Sequence, residues 1–296
     1  MIWAYTIKSK KLRACDADSL DELEELSGKA DWLWVDCLEP DDRELEIVAG
    51  LLRETNIIDA IKRQRIFSRY ERKHDYTAVS IPLVLFESRL MVQPIYVFLN
   101  DKMFVTVRDK GSSGPIDNTL KTLQDCVSGI VCVSGVKAIS SSFALSRLFH
   151  EATNENLDVI ISLRERIDKV EERALANPRD KGISHSVFAL KREISIFERT
   201  LWSQRELMLS MREGVVPTLQ LNEEIVPTLN YAINNISREL SLLDSNNSAL
   251  DSILNLQDLG MIHGVERTLI YLTLIILVAN VILILLGLDI LNLFTQ

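Results

Sequence analysis

Three aspartates recur at a spacing of seven residues in the last fifth of the chain: Asp244, Asp251 and Asp258. Seven residues are almost two helical turns, so on a helix these carboxylates share one side. In a symmetric oligomer they would form stacked rings of carboxylates, which attract hard divalent cations. They are therefore candidate metal ligands. The alternative is that they only form a solvated acidic face.

A second set of polar or small residues continues the same spacing: Thr273, Asn280 and Gly287, with Glu266 one heptad earlier. Their neighbours are almost all Leu, Ile and Val. An amide is costly in an apolar environment unless it meets water or a partner helix. We therefore predict that this face lines a pore or a helix–helix contact in an oligomer. A tolerated asparagine on a single-pass anchor is the alternative.

These residues lie on an uncharged apolar segment, residues 268–288, the only one of its kind in the sequence. At about 1.5 Å per residue it spans roughly 31 Å, enough to cross the hydrocarbon core of a membrane. Arg267 precedes the segment and no Lys or Arg follows it, and the N-terminus does not read as a signal peptide. We therefore expect a single-pass protein of the cell membrane whose N-terminal domain is cytoplasmic.

Several functional classes fit the sequence poorly. The net charge of −9 argues against a nucleic-acid partner, which normally requires a basic surface. We find no glycine-rich phosphate loop, no GxSxG elbow and no HExxH motif, so we expect no enzymatic activity. The four histidines are dispersed, which disfavours a local zinc site, and the four cysteines form no CxxC pair and are expected to be reduced thiols.

Short apolar runs alternate with amphipathic segments in residues 1–140, which predicts an α/β domain. The predicted strands are residues 2–7, 32–37, 76–86, 91–99 and 103–107. Asp18 or Ser19 is expected to cap a helix over residues 20–26, and further helices are expected after Pro40 and over residues 57–63. Asn100-Asp101 predicts a hairpin, and residues 111–115 predict a loop.

From about Ser141 the apolar spacing is helical, and we predict a helical hairpin and stalk over residues 141–265. Pro178 and Gly182 separate the first long helix from a second over residues 187–211. A third helix is expected to run unbroken from about Thr228 into a transmembrane helix over residues 266–290. The predicted fold is thus an α+β membrane protein: an N-terminal α/β domain, long antiparallel helices, and a stalk helix that enters the membrane.

The order and spacing of these elements resemble the CorA-type divalent metal-ion transporter family. The similarity is carried by Trp34-Val35-Asp36 before an acidic helix start, and by residues 57–84, 92–109 and 157–175. The resemblance implies a homopentamer with a funnel-shaped cytoplasmic domain, in which the stalk helix lines the pore. On this chain that role falls to residues 266–288, with Leu272-Thr273 similar to the Leu-Thr of the family near the membrane entrance.

Two departures from the family pattern affect the expected function. The family ends its pore helix with Gly-Met-Asn, whereas this chain has Gly287-Leu288-Asp289 or Ile290-Leu291-Asn292 in that place, which makes Asp289 and Asn292 the entrance candidates. The family also has a second membrane helix and a basic tail, which we do not expect here because the sequence ends at Gln296.

The resemblance implies passive transport of Mg²⁺, Co²⁺ or another divalent cation, gated by metal bound between cytoplasmic domains. Membrane lipid and further copies of the chain are the expected partners. One alternative is a non-conducting regulatory or assembly subunit of the same class, which has lost the entrance motif and the second helix. A membrane-anchored helical interaction protein without a metal role is a third possibility.

Overall fold

The computed structural model describes residues 1–8, 11–17, 19–54, 57–62, 68–73, 75–86, 89–129, 139–180, 182–216 and 218–294, with the side chains of residues 60, 62 and 285–294 left out. The chain forms two compact units. The first comprises Met1–Leu163 with Arg192–Ser245, and the second comprises Arg164–Lys191 with Asn246–Gln296. The domain boundaries expected from the sequence remain predictions.

A seven-stranded sheet forms the centre of the first unit, in the order β2-β1-β3-β7-β6-β5-β4. Its strands are β1 (Ile2–Lys8), β2 (Lys11–Asp16), β3 (Trp32–Leu38), β4 (Arg69–Arg72), β5 (Thr77–Phe86), β6 (Leu90–Leu99) and β7 (Met103–Arg108). Strands β3 and β7 pair in parallel, and the other pairs are antiparallel. All five predicted strands are confirmed to within one residue at each end.

The two strands that the sequence did not predict, β2 and β4, are the edges of this sheet. Both are mostly exposed, so they lack the apolar alternation that marks a half-buried strand. The predicted hairpin between β6 and β7 is confirmed. The Asn100 side-chain oxygen accepts hydrogen bonds from the backbone N–H groups of Lys102 and Met103, at 3.0 and 2.9 Å.

Three helices cover one face of the sheet, α1 (Leu20–Lys29), α2 (Asp42–Leu51) and α3 (Ile57–Lys62). Ser19 caps α1 by accepting a hydrogen bond from the Glu22 N–H, and Asp41 and Glu44 form a capping box on α2. Leu23, Val48 and Ile57 from these helices pack with the inward side chains of the strands in one apolar core. The predicted end of α3 at residue 63 lies outside the described residues.

The predicted loop over residues 111–115 is wrong, because the helix α4 (Ser113–Val127) begins inside it after a short 3₁₀ turn at Lys110–Ser112. Pro115 is compatible with the first turn of a helix, where its missing N–H has no intrahelical acceptor. Cys15 and Cys37 are free thiols as expected. Cys126 on α4 is disulfide-bonded, so the expectation of reduced thiols is wrong for this residue.

Three long helices follow, α5 (Ser141–Ala176), α6 (Gly182–Arg212) and α7 (Ile225–Phe294). Helix α7 begins three residues before the predicted start, where the Asn222 side-chain oxygen accepts from the Glu224 and Ile225 N–H groups. Gly260 and Gly264 do not interrupt it, so the prediction of an unbroken helix is confirmed.

Helices α6 and α7 are antiparallel within each unit. In the first unit, Arg205 bonds Ser237 and Arg212 bonds Asn230. In the second unit, Ser184 bonds Gln257 and Lys191 pairs with Asp251. In both units, residues later in α6 contact residues earlier in α7, as an antiparallel pair requires.

Within the described residues, the segment Ile225–Ile284 of α7 is long and apolar enough to cross a membrane, and none of its most apolar window is buried. Every described side chain from residue 265 to 284 is exposed, including Leu269, Ile275 and Leu283. A long unburied apolar surface of this kind needs lipid or another protein chain to cover it.

Candidate functional site

The polar stripe lies on the apolar segment of α7. Thr273 and Asn280 are seven residues apart on one continuous helix, so both point to nearly the same side. The Thr273 hydroxyl donates a hydrogen bond to the Leu269 carbonyl at 2.9 Å, which leaves its oxygen able to accept. Within the described part of the chain, the exposed Asn280 amide has no hydrogen-bond partner. A single copy of the chain therefore leaves this amide to be satisfied from outside.

The last members of the predicted site are Gly287, Asp289 and Asn292. The backbone of α7 continues through Gly287, Asp289 and Asn292 to Phe294. The side chains of these three residues lie outside the described part of the chain. Their roles as the end of the stripe and as the entrance therefore stay predictions.

The three aspartates of the predicted acidic row are all exposed on α7. Successive members are separated by about 10 Å along the helix, given the rise of about 1.5 Å per residue. The described residues contain no cluster of three or more His, Cys, Asp or Glu side chains that could hold a metal ion. At this spacing the three carboxylates of one helix are too far apart to coordinate one ion together.

Two of these aspartates have charged neighbours on α6. Lys191 Nζ lies 2.5 Å from Asp251 Oδ1, with exposed fractions of 26% and 58% for the two side chains. Burial, followed by the nearby Asp244 carboxylate, raises the pKa of Glu198. Asp251 therefore has an internal counter-ion, whereas Asp244 adds to an already acidic surface.

Buried polar contacts hold α7 in place just before its apolar segment. The Gln257 side chain, 4% exposed, accepts a hydrogen bond from the Ser184 hydroxyl at 2.7 Å. Its amide nitrogen donates to the Asp180 carbonyl at 3.1 Å. Because a buried amide that loses its partners is costly, these bonds fix the register of α7 against the turn between α5 and α6.

A buried carboxyl group lies between α5 and α7 in the first unit. Glu239 is 3% exposed and accepts a hydrogen bond from the Asn156 amide at 3.1 Å. Burial raises the pKa of Glu239 from 4.5 to about 7, although the Asn156 bond and Arg238 oppose the rise. Next to Asn156 in sequence, Glu155 has its pKa raised to about 7 by burial and by Glu151, Asp158 and Asp117.

The sequence did not indicate that the carboxyl groups of Glu239 and Glu155 have raised pKa values. Their ordinary helical spacing does not show that these positions become buried. The only local signal is that Asn156, a polar residue, falls at a position on α5 that the apolar spacing assigns to the interior. Because the pKa of each carboxyl is raised to about 7, Glu239 and Glu155 each gain or lose a proton near neutral pH.

Two of the stretches that carry the family resemblance, Trp34-Val35-Asp36 and residues 92–109, meet in the sheet. Asp36 on β3 and Arg108 at the end of β7 form an ion pair, in which Arg108 Nη2 lies 2.8 Å from Asp36 Oδ2 and the exposed fractions of the two side chains are 0% and 1%. Thr106 donates to Asp36 at 2.5 Å and accepts from the Trp34 indole N–H at 2.9 Å. Arg108 also donates to Ser113 at 2.7 Å, which links β7 to the start of α4. This network is a structural connection and leaves no open coordination site.

Comparison with known proteins agrees with this architecture. The cobalt/magnesium transport protein CorA of Methanocaldococcus jannaschii is 20% identical over 235 residues, which cover 77% of this chain and 71% of that protein. The complete structure of the CorA magnesium transporter from the same organism matches with a TM-score of 0.71 at 13% identity, over 91% of this chain and 80% of that one. The full-length CmaX protein matches with a TM-score of 0.68 at 16% identity, over 92% and 81%.

These structural similarities, at low identity, show a shared fold: an α/β domain followed by long helices and a long apolar C-terminal helix. The family model described as CorA-like Mg²⁺ transporter protein matches residues 29–280, which is most of the sequence. The match extends from the sheet domain through the stalk to the centre of the apolar segment. The chain therefore belongs to the family of CorA-like Mg²⁺ transporter proteins.

Proposed function

We propose that this protein is a membrane-embedded homo-oligomer, with five copies as the family resemblance implies, that conducts Mg²⁺ or a related divalent cation down its electrochemical gradient. The observation that carries the proposal is the polar face of Thr273 and Asn280 on a helix whose other faces are apolar and unburied. Water shared between several copies satisfies the Asn280 amide without exposing it to lipid.

The proposed path suits a hydrated cation. Hydroxyl and amide oxygens contact the water shell of a divalent ion without stripping it, since Mg²⁺ gives up its waters reluctantly. The exposed aspartates on the stalk increase the local cation concentration below the membrane, and the net charge of −9 acts in the same direction. Arg267 at the start of the apolar segment supports a cytoplasmic N-terminal domain.

We further propose that cytoplasmic metal, bound between neighbouring copies, closes the path. A single chain holds no cluster of three or more metal-ligating side chains among the described residues, which fits ligands that come from two copies. The carboxylates of Asp244 and Asp258 are the candidates, because both are exposed and, among the described residues, neither has an internal cation like that of Asp251.

A non-conducting regulatory subunit of the same class is the second candidate. The observation that favours it is that Gly-Met-Asn occurs nowhere in the 296 residues. If that triplet is needed to admit the ion, the helices would assemble without conducting.

Flux measurements separate the two candidates. Purified protein is reconstituted into vesicles that contain a Mg²⁺-sensitive dye, and external Mg²⁺, Co²⁺, Ni²⁺ or Zn²⁺ is added with protein-free vesicles as the control. Conduction predicts entry of at least one of these ions, faster with a negative interior. Entry at the rate of the protein-free vesicles for all four ions, from protein that is verified as oligomeric, favours the non-conducting subunit.

A further inference from the structure

The turn between α5 and α6 lies directly on α7, within the second unit. A Cβ atom placed on Gly260 would collide with the Pro178 side chain, and one placed on Gly264 would collide with the Arg179 guanidinium. Both positions are helical, so glycine is not needed there for backbone conformation. What the missing Cβ atoms allow is the close approach of Pro178 and Arg179 to the helix.

Two guanidinium groups at this end of the unit have no carboxylate partner within the described residues: those of Arg179 and Arg267. Asp180 pairs with Arg173 at 2.7 Å, and Glu266 shares a hydrogen bond with the His263 ring nitrogen Nδ1 at 3.2 Å. The Arg179 guanidinium lies against Gly264, and Arg267 follows Gly264 by three residues on α7, so in a chain with a net charge of −9 the two arginines make a local basic patch. We call Arg179, Gly264 and Arg267 the arginine patch.

The position of the arginine patch along α7 determines its depth in the membrane. Gly264 lies four residues before Thr268, where the apolar segment starts, or about 6 Å along the helix axis. The polar headgroup layer on each side of a bilayer is roughly 5–7 Å thick. Gly264 and Arg267 therefore lie at headgroup depth if residues 268–288 occupy the hydrocarbon core.

The contacts of Arg267 fit this depth. Its Nε–H donates to the Tyr271 hydroxyl at 3.3 Å, and its guanidinium carbon lies 5.9 Å from the centre of the Tyr271 ring. Tyrosine is enriched at the membrane–water interface, because the ring tolerates the apolar side and the hydroxyl needs the polar side. The remaining N–H groups of Arg267 are left to donate to a group in the headgroup layer.

We propose that the arginine patch binds the phosphate of an anionic phospholipid headgroup where α7 enters the membrane. Guanidinium groups bind phosphate oxygens through paired, charge-assisted hydrogen bonds. A lipid phosphodiester therefore suits the two arginines better than a carboxylate from the acidic surface of a protein does. A bound headgroup also fastens the α5–α6 turn to α7. This inference rests on the proposed membrane placement of residues 268–288.

The test uses the full chain in vesicles that contain phosphatidylglycerol and phosphatidylcholine in equal amounts. After mild detergent extraction, native mass spectrometry counts the lipids of each kind that remain bound. We expect phosphatidylglycerol to be retained in excess. Arg179→Gln and Arg267→Gln should each lower that excess about fivefold, and the double variant roughly 25-fold. Arg43→Gln, an exposed arginine on α2, is the matched control and should change nothing.

Two further variants separate a built site from general positive charge. Gly264→Ala keeps both charges but forces the Arg179 guanidinium to shift, so it should lower the excess, by less than Arg179→Gln does. Arg179→Lys should restore part of the binding, which also shows that the position tolerates substitution. An unchanged phosphatidylglycerol excess in the double variant would overturn the proposal, as would equal retention of the two lipids by the unmodified protein.

Failure of the membrane placement would look different from failure of the lipid site. A chain that does not insert is recovered without any lipid and remains in the soluble fraction, and this result overturns both proposals. A chain that inserts and conducts but retains both lipids equally overturns only the lipid site. Loss of the phosphatidylglycerol excess on addition of inorganic phosphate would show that the patch binds free anions, and would also overturn it.

Discussion

Arg108 holds both carboxylate oxygens of Asp36 in the interior of the sheet, with its Nε and Nη2 groups between 2.8 and 3.2 Å from them. The two residues belong to the only parallel strand pair among the described strands, β3 and β7, so the ion pair fixes the alignment of these strands. It also anchors α4 through Ser113. This is the most deeply buried ion pair in the described part of the chain.

Asp36→Asn should therefore destabilise the sheet strongly. The substitution leaves the Arg108 charge buried without a counter-ion, which typically costs about 3–5 kcal/mol. The expected result is a large drop in the melting temperature of the full chain in detergent, measured by the near-ultraviolet circular dichroism of its aromatic side chains. Asp101→Asn, in the exposed turn between β6 and β7, serves as the control. A melting temperature for Asp36→Asn equal to that of the control would contradict the assignment.

Stability should fall as the pH rises from about 4.5 to about 7, with Glu239 as one cause. Its pKa is raised in the folded state to about 7, so between these values the folded chain holds a proton that the unfolded chain releases. The contribution is complete below the unfolded pKa and is lost as the pH rises through the folded one.

The Glu239→Gln variant tests this pH dependence. It should flatten the fall in stability, which for this group amounts to about 3 kcal/mol at about 1.4 kcal/mol per pKa unit. The measurement is chemical denaturation of the full chain at several pH values, with Glu213→Gln, an exposed carboxylate on the short loop after α6, as the control. Glu155 has a raised pKa too, so a smaller slope should remain. Identical pH profiles for Glu239→Gln and the unmodified chain would show that this carboxyl is not held neutral.

Replacing Lys191 should strengthen cation binding on the stalk if the acidic row binds metal. Lys191 competes with a cation for the Asp251 carboxylate, and the exposed pair itself contributes at most about 1 kcal/mol to stability. For Lys191→Met we expect half-maximal protection from chymotrypsin at several-fold lower Mg²⁺, with Lys169→Met as the control. Absence of any Mg²⁺-dependent protection in all three proteins would favour an interaction protein without a metal role.

The apolar segment should be covered by further copies of the chain in mild detergent. The chain has a mass of 33.6 kDa, and a pentamer has five times this protein mass. Light scattering with correction for bound detergent measures this value. A particle with the mass of one chain would remove the shared aqueous path, because Asn280 would then face detergent.

The sequence was sufficient for those features that depend on local pattern. The strand Trp32–Leu38 and the turn at Asn100 follow from apolar runs and turn chemistry, and the membrane-crossing length of α7 follows from composition. The edge strand Lys11–Asp16 could not be predicted, because its pairing with β1 satisfies the backbone while its side chains stay in water.

The candidate site was predictable only in part, for a related reason. The seven-residue spacing of Thr273 and Asn280 is visible in the sequence, and in the structure both residues are exposed on one continuous helix. The burial of Glu239 against Asn156 and the pairing of Lys191 with Asp251 depend on which helix faces meet. Residues far apart in the chain create those contacts, and no local spacing encodes them.

The most direct test of the central claim is the rate of Mg²⁺ entry into vesicles for the double variant Thr273→Val and Asn280→Leu, compared with Ile275→Val and Ile282→Leu on the opposite face of α7. If the polar stripe lines a shared aqueous path, the first pair of substitutions removes the polar groups that bind water there and should lower the rate at least tenfold. The second pair should leave the rate near that of the unmodified protein. Equal conduction by both double variants would contradict the claim that Thr273 and Asn280 line the path.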